Sequence, residues 1–403
     1  MSDPSRTAVI VSAARTPIGR FLGGLSPLSA PELAARSIRA ALERSGAEAA
    51  DIDDVIMGHV VPAGAGQAPA RQAAIGAGIP ESVGAMAVSR VCGSGLQAVM
   101  LAAQAIRAGD ARLLVAGGME SMSQVPYYLF GHRDGVKFGT QQLVDGLIHD
   151  GLWCAFGHCH MGGHAEYTAH KADISRDDAD AWALRSHQNA VSAQEAGKFD
   201  AELVPIEIST RKGSTVVDRD EPPRADTTLE ALGRLKPAFT ADMPEQVTDP
   251  VVTAGNAPGL NDGAAALVVA SEEYARANGL EVIARVSAYA TGPVSPQELF
   301  FAPVRAVQRL MEKEGKSIDD YDLIEANEAF AVQVLADGRQ LGWDWGRVNV
   351  NGGAVALGHP IGASGARILT TLLHALRDRD ATTGLATLCL GGGDAVALSV
   401  ERI

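Results

Sequence analysis

Apolar side chains recur at helical spacing in two widely separated parts of the chain. Their i, i+3, i+4, i+7 pattern predicts one buried helix from Ser94 to about Gly109 and a second opened by the pair Ser364-Gly365. The apolar positions are Leu96, Val99, Met100, Ala103 and Ile106 in the first helix, and Ile368, Leu369, Leu372, Leu373 and Leu376 in the second. Each helix precedes a short apolar strand that runs into glycines. This alternation of helix and strand is typical of α/β proteins.

The two ends of the chain also repeat each other. A helix-like segment ends at Gly46 in one place and at Gly315 in the other, and each glycine is followed by an acidic spacer and an apolar strand. Nearly the same number of residues separates Gly46 from Gly315 and Ser94 from Ser364, which chance seldom produces. We therefore predict two homologous α/β halves, each built around its own sheet.

The repeat also predicts where the domains begin and end. The first half would comprise residues 1–120 together with 251–279, and the second half residues 280–403. Residues 121–250 have no counterpart in the second half and are polar and irregular in pattern. We interpret them as a loop domain inserted into the first half, placed to cover a site.

Composition narrows the class of protein. The chain has 403 residues, of which 44 are glycine and 46% are hydrophobic, as expected for an α/β protein with many tight turns. A formal charge of −14 argues against nucleic-acid binding, which needs a basic surface. No apolar run approaches the roughly 20 residues of a membrane helix, and no secretory signal is visible, so we expect a cytoplasmic protein that does not enter membranes. Four cysteines in so long a chain predict free thiols.

Two of these cysteines occupy positions suited to chemistry. Cys92 lies just before the first buried helix, where the positive end of the helix dipole and unpaired N–H groups favour the thiolate. The thiolate is the form that attacks carbonyl carbon. Cys389 ends an apolar strand and precedes three glycines. The pair suggests covalent acyl chemistry with two separate tasks for sulfur.

Two further polar residues lie on loops of the second half. Asn327 follows the predicted strand 323–325, and His359 precedes the second buried helix. Because the halves are duplicates, the loop with His359 corresponds to the loop with Cys92. Pseudo-symmetry would bring the two loops together at the interface between the halves.

Four motifs containing these residues occur in one order along the chain. They are Cys92-Gly-Ser-Gly-Leu, Asn327-Glu-Ala-Phe-Ala, Gly358-His-Pro-Ile-Gly-Ala-Ser-Gly and Cys389-Leu-Gly-Gly-Gly. In motifs and order, nearly the whole chain resembles the thiolase family. The resemblance implies a five-layered α-β-α-β-α fold made from two duplicated α/β halves. It also implies acetyl-CoA C-acetyltransferase activity, a reversible Claisen condensation through an acyl-cysteine.

The resemblance assigns a role to each catalytic candidate. Cys92 would take the acyl group, with His359 accepting its proton, and Cys389 would remove the α-proton of the second acetyl-CoA. His359 and a water held by Asn327 would stabilise the enolate. The N–H groups of Cys92 and Gly391 would form a second oxyanion hole. Acetyl-CoA and CoA would be substrates, with no tightly bound cofactor and no metal.

The resemblance also implies a CoA-binding set and an acyl pocket. The CoA contacts would be His160, Met161, Arg224, Phe239, Pro258 and Phe330, with Arg224 near the adenine or phosphate end. The acyl pocket would be formed by Leu299, Phe300 and Phe301, which stand where the family usually has Met-Gly-Thr. Pro258 replaces a usual serine, Ser89 an asparagine and Asp394 an apolar residue. These departures leave the acyl-chain length open.

Two other functions remain open at this point. One is a degradative 3-oxoacyl-CoA thiolase with a different chain-length specificity. The other is a metal-dependent hydrolase built on the cluster Cys154, His158, Cys159, His160 and His164, although its Cys-x4-Cys spacing fits no regular four-ligand pattern. For self-association, the resemblance implies a homodimer through residues 85–89, or a homotetramer that also uses residues 126–142.

Overall fold

The structure of the protein is a computed structural model, which describes residues 3–210 and 213–403. The strands are β1 (Ala8–Arg15), β2 (Gly19–Arg20), β3 (Asp54–Gly58), β4 (Gly84–Val88), β5 (Leu113–Ser121), β6 (Tyr127–Tyr128), β7 (Val144–Asp145), β8 (Trp153–Cys154), β9 (Cys159–His160), β10 (Ile206–Thr210), β11 (Gly213–Val217), β12 (Asn261–Ser271), β13 (Ala284–Thr291), β14 (Leu323–Ala326), β15 (Thr383–Leu390) and β16 (Asp394–Arg402). The α-helices are α1 (Ala30–Ser45), α2 (Pro69–Ala77), α3 (Ser94–Ala108), α4 (Met161–Lys171), α5 (Arg176–Glu195), α6 (Leu229–Gly233), α7 (Glu272–Ala277), α8 (Ala302–Glu314), α9 (Ala331–Leu341), α10 (Ala354–Leu357) and α11 (Ile361–Asp378).

The strands of the two halves form one continuous mixed sheet. Their order is β14-β15-β16-β13-β1-β12-β5-β3-β4, with β2 paired to β12. The halves meet where β1 pairs with β13, over the two pairs Val9–Arg285 and Ile10–Ala284. The two halves therefore share one sheet, and the prediction that each half has its own separate sheet is wrong. Both joining strands carry a register shift just beyond the contact, and such bulges bend a strand so that it can serve two neighbours.

Three large apolar cores lie between five layers, and the middle core surrounds the central helices. Helices α1 and α2 pack on the outer face of the first-half strands. Helices α3 and α11 lie between the strands of the two halves and contact each other. Helices α8 and α9 pack on the outer face of the second-half strands. The predicted five-layered α-β-α-β-α fold is confirmed.

The internal repeat is visible residue by residue. Helix α1 ends at Gly46 with φ 68°, and a short 3-10 helix then leads into β3. Helix α8 ends at Gly315 with φ 65°, followed by a 3-10 helix and β14. Glycine adopts this left-handed conformation without a steric penalty, so the two helices end at equivalent positions of the two halves.

Two sequence expectations need correction. Helix α11 begins at Ile361, so Ser364 lies within its first turn and does not open it. The stretch expected to be irregular contains three hairpins and the helices α4 to α6, of which α5 has 20 residues. Half of the buried residues of α5 are alanine and three of the others are polar, which gives a weak apolar signal.

Within residues 3–210 and 213–403, no helix combines the length and the apolar character that crossing a bilayer requires.

The two central helices touch through glycine. A Cβ added at Gly95 would lie 2.7 Å from the backbone nitrogen of Ala366, and one added at Gly365 would lie 2.4 Å from that of Leu96. Any larger side chain would push the helices apart. This contact brings the loops that precede α3 and α11 to the same place.

We expect Gly365→Ala to destabilise the protein by about 1–3 kcal/mol, because the new methyl group meets backbone that cannot move cheaply. Urea unfolding followed by circular dichroism measures the loss. Gly233→Ala is the matched control, since a Cβ there meets nothing within 4 Å. Equal stability of the two variants would contradict the close contact.

Candidate active site

A largely apolar cavity of about 270 Å³ lies where the loops before α3 and α11 meet the end of β15. It brings together Cys92, His359 and Cys389, as the sequence predicts, and the N–H of Gly391 lies beside them. The rest of its wall consists of Val91, Met122, Ile148, Gly151, Leu152, His160, Met161, Phe239, Ala257, Pro258, Gly259, Leu260, Leu299, Phe300, Ala329, Phe330 and Ile361.

Cys92 is presented by a strained turn. Val91 has φ 45°, a left-handed conformation that β-branched residues rarely adopt. The hydroxyl of Ser94 holds the turn, since it accepts a hydrogen bond from the N–H of Arg90 (2.8 Å) and donates to the carbonyl oxygen of Val91 (2.6 Å). The strain is thus maintained at the residue next to the cysteine.

The thiol of Cys92 is protonated at rest. Burial raises its pKa to about 11, against the opposing effect of hydrogen bonds from the N–H groups of Gly391 and Cys92 itself. Burial thus opposes the thiolate that the helix terminus was predicted to favour, and helix α3 starts two residues after Cys92, at Ser94.

His359 is neutral and has one free ring nitrogen. Burial, and then the charge of Arg367, lower its pKa to about 3. Its Nδ1 lies 2.6 Å from the Ser364 hydroxyl, which donates its single proton to the carbonyl oxygen of Pro360. The hydroxyl must then accept from Nδ1–H, which leaves the lone pair on Nε2. Nε2 has no hydrogen-bond partner among the described residues, so it is available as a base.

Two asparagines hold the loop of His359. Asn261 accepts from the backbone N–H of His359 (2.8 Å) and donates to the carbonyl oxygen of Gly19. Asn327 is fully buried, with its amide nitrogen 3.4 Å from Nδ1 of His359. It thus lies behind the imidazole and does not line the cavity.

Cys389 is the more deeply buried of the two site cysteines, with 1% of its surface exposed. Burial, and then the nearby sulfur of Cys92, raise its pKa well above the ordinary value. Both sulfurs are therefore neutral in the resting protein, and any proton transfer between them has to accompany a reaction.

The carboxylate of Glu328 has a structural role. It accepts four hydrogen bonds, two donated by Trp182 and Ser186 of α5 and two by Asn349 and Val355. A carboxylate surrounded by donors in this way braces the loop that follows β14 and is not free to transfer a proton.

Most of the predicted CoA contacts and acyl-pocket residues line the cavity. His160 stacks on Phe239 with ring centroids 4.7 Å apart, and Phe300 meets Phe330 edge-on at 5.3 Å. Met161, Pro258 and Leu299 are also in the wall. Phe301 does not line the cavity. Its ring centroid lies 5.2 Å from the ammonium nitrogen of Lys171.

Arg224 is also separate from the cavity. It lines a different groove of about 210 Å³ along α5, where its backbone N–H donates to Nδ1 of His187.

The cluster of cysteines and histidines between Cys154 and His164 was one candidate for a metal site. In the part of the chain that the structure describes, no group of three or more His, Cys, Asp or Glu side chains is arranged to hold a metal ion.

Comparison with known proteins identifies the architecture. The family model for the thiolase N-terminal domain matches residues 8–273, and the model for the thiolase C-terminal domain matches residues 280–402. The chain belongs to the thiolase family.

Individual relatives match over their full length. The acetyl-CoA acetyltransferase of Pseudomonas aeruginosa is 54% identical over 395 residues, which is 98% of this chain and 99% of that protein. An Escherichia coli acetyl-CoA acetyltransferase is 52% identical over 399 residues, 99% and 100% of the two chains. The crystal structure of the Bacillus anthracis acetyl-CoA acetyltransferase superposes with a TM-score of 0.96 at 43% identity and covers both chains completely.

The structure explains one departure of this thiolase from the family pattern. Asp394 forms a 2.6 Å ion pair with Arg90, which also donates to Gln97. Arg90 precedes Cys92 by two residues, and Asp394 follows Cys389 closely along the chain. The pair therefore ties together the loops that carry the two sulfurs.

Sequence reasoning missed two residues of this thiolase site, Ser364 and Asn261. Ser364 was noted only as part of a helix start, although a serine five residues after a histidine that precedes a helix can reach back to the ring. Asn261 opens the core strand β12, and nothing in its local sequence indicates a contact with a loop almost a hundred residues away.

We expect alkylation of Cys92 by iodoacetamide to accelerate about tenfold for each pH unit between about pH 7 and pH 10, because a thiol with its pKa near 11 is mostly protonated over this whole range. Peptide mass spectrometry follows the label on Cys92 itself, and glutathione provides the reference rate. An alkylation rate that does not rise with pH above pH 7 would instead indicate a resting thiolate–imidazolium pair.

Proposed function

We propose that this thiolase is an acetyl-CoA acetyltransferase, which joins two molecules of acetyl-CoA into acetoacetyl-CoA and CoA and catalyses the reverse cleavage. The observation that carries the proposal is the meeting of Cys92, His359 and Cys389 in one apolar cavity. The relatives that match at 52–54% identity over their whole length carry this name, which supports the same reaction here.

The first step transfers an acetyl group to the enzyme. The sulfur of Cys92 attacks the thioester carbonyl while Nε2 of His359 takes its proton, and CoA leaves with that proton. The free lone pair on Nε2 supports His359 as this base. Because both groups are neutral at rest, charge develops only in the transition state, where the N–H groups of Cys92 and Gly391 can stabilise the oxyanion. One such donor contributes about 3–4 kcal/mol.

The second step forms the carbon–carbon bond. Cys389 gives its proton to Nε2 of His359, and the resulting thiolate removes an α-proton from the second acetyl-CoA. The enolate oxygen accepts a hydrogen bond from the protonated Nε2 of His359, while Asn327 positions the ring from behind. The carbanion attacks the acetyl carbonyl on Cys92, and collapse of the adduct breaks the bond to Cys92, which regains its proton from His359 as acetoacetyl-CoA is released.

The raised pKa of Cys389 suits the reverse direction as well. When a 3-oxoacyl thioester is cleaved, the departing carbanion needs a proton, and a thiol that is neutral at rest can supply it. In the condensation direction the same sulfur must first lose its proton, and its high pKa then makes it a strong base.

The wall of the cavity supports a short acyl chain. Phe300 and Phe330 close it edge to face, and Leu299 is packed beside them with 1% of its surface exposed. We propose that these side chains leave room for acetyl and acetoacetyl groups. Longer 3-oxoacyl chains, as in a degradative thiolase, would require Phe300 to move.

We propose that the inserted segment, residues 121–250, binds the CoA part of the substrates. His160, Met161 and Phe239 come from this segment and line the cavity, and Pro258 faces them. Arg224, in its separate groove, is the candidate contact for the phosphates or adenine of CoA, for which its positive charge is suited.

Replacing each sulfur should separate the two steps. Cys92→Ala should form no acetyl-enzyme and lose acetyl exchange between acetyl-CoA and CoA. Cys389→Ala should still gain one acetyl group, whereas condensation should fall by about 10²- to 10⁴-fold, the usual loss for a missing acid–base group. Intact-protein mass and the rate of acetoacetyl-CoA formation are the measurements.

The control is Cys159→Ser, which lies outside the cavity and should retain wild-type rates in the presence of a reductant. Exchange by Cys92→Ala, or condensation by Cys389→Ala at the wild-type rate, would refute the assignment.

We also propose that the protein forms a homodimer through β4. This strand is the edge of the sheet and carries the exposed apolar side chain of Met86, 44% accessible. An uncovered edge strand pairs readily with a second chain. Residues 126–142, which include a fully exposed Phe138, are the proposed contact between dimers in a tetramer.

Met86→Lys should weaken the dimer, because it places a charge where two copies of β4 would pair. Sedimentation equilibrium across a dilution series measures the shift toward monomer. Val216→Lys is the control, since Val216 is an exposed apolar residue on the separate hairpin β10–β11. Dissociation by both variants, or by neither, would argue against an interface at β4.

A further inference from the structure

Two cysteines outside the cavity face each other across a hairpin. Cys154 on β8 and Cys159 on β9 are directly opposed in the antiparallel register, with four residues between them. Opposed residues in such a ladder have Cα atoms about 4.5–5.5 Å apart. That spacing falls within the roughly 4.4–6.8 Å over which a disulfide can form. Both cysteines are free thiols.

The two sulfurs also share a neighbour at the turn. The N–H of Gly157 donates to the sulfur of Cys154 at 3.2 Å. A Cβ added at Gly157 would lie 3.4 Å from the sulfur of Cys159. Since both sulfurs approach the same glycine, they lie on the same side of the hairpin.

A histidine lies beside this pair. His164 on α4 is 5% exposed, and its Nε2 has no hydrogen-bond partner among the described residues. A Cβ added at Gly157 would lie 3.0 Å from Nε2 of His164. Burial lowers the pKa of His164, which favours the neutral imidazole, and raises the pKa of the Cys159 thiol, so proton transfer between them has to accompany a reaction at the sulfur.

The pair can be reached from solvent. Cys159 is partly exposed and lines an open groove of about 620 Å³, which His158 and His164 also line. Cys154 is buried behind it. A small oxidant in the groove would therefore meet Cys159 first.

We propose that Cys154 and Cys159 form a modification site, at which a hydroperoxide produces an intramolecular disulfide that a thiol reductant reverses. Cys159 gives its proton to His164 and attacks one oxygen of the hydroperoxide; the O–O bond breaks, the alcohol or water leaves with the proton from His164, and Cys159 becomes a sulfenic acid. Cys154 then attacks the sulfenic sulfur and releases water as the S–S bond forms. The peroxide is reduced by two electrons, and the two thiols are oxidised by two.

The site adjoins the cavity wall. Strand β9 ends at His160, which stacks on Phe239, and Leu152 just before β8 lines the cavity. The bond would thus lock a hairpin that continues at both ends into the cavity wall.

Peptide mapping of the wild-type protein tests the proposal. Trypsin releases residues 138–171 as one peptide, in which Cys154 and Cys159 are the only cysteines. After a brief treatment with hydrogen peroxide and thiol blocking, this peptide should be two hydrogen atoms lighter and carry no blocking group. Dithiothreitol before blocking should restore two blocked cysteines.

Two variants complete the test. Cys159→Ser should give a peptide that is not lighter, with Cys154 still blocked. His164→Gln should form the disulfide several-fold more slowly at neutral pH, and melting curves check that both variants fold. Two blocked cysteines in the peroxide-treated wild type, stable over-oxidation of Cys159, or cross-links to another cysteine would overturn the proposal.

Discussion

The contact between α3 and α11 is the constraint on which the site depends. Gly95 and Gly365 allow the two helix backbones to meet, and the loops before these helices carry Cys92 and His359. Because each half supplies one glycine and one loop, the duplication itself creates the pairing of thiol and imidazole. The third group, Cys389, lies near the end of β15, which packs on α11 from the opposite side.

Burial then sets the chemistry of this meeting point. The same packing that brings the groups together removes water from them, so both sulfurs keep their protons and the imidazole stays neutral. In an apolar site of this kind, burial favours the neutral form of each titratable group in the resting state. The hydrogen bond that Nδ1–H of His359 donates to Ser364 and the one that the N–H of Gly391 donates to Cys92 orient the reacting groups, so that charge separation is confined to the moment of reaction.

Much of this was predictable from the sequence, and the limits have physical causes. The layers, the repeat and the grouping of Cys92, His359 and Cys389 follow from local motifs and their order. The protonation state of Cys92 did not follow, because it depends on desolvation by residues distant in sequence. The contacts of Asn261 with His359 and of Asp394 with Arg90 were missed for the same reason. Helix α5 was missed because alanine marks a buried face only weakly.

The joining of the sheets at β1 and β13 has a consequence for motion. Backbone pairing runs from β14 to β4 through the two-pair contact of β1 with β13, so main-chain hydrogen bonds tie the two halves together. Moving the halves apart would break these bonds as well as the glycine contact between α3 and α11. Displacement of the cavity wall formed by His160 and Phe239, which lie outside this sheet, would break none of its hydrogen bonds.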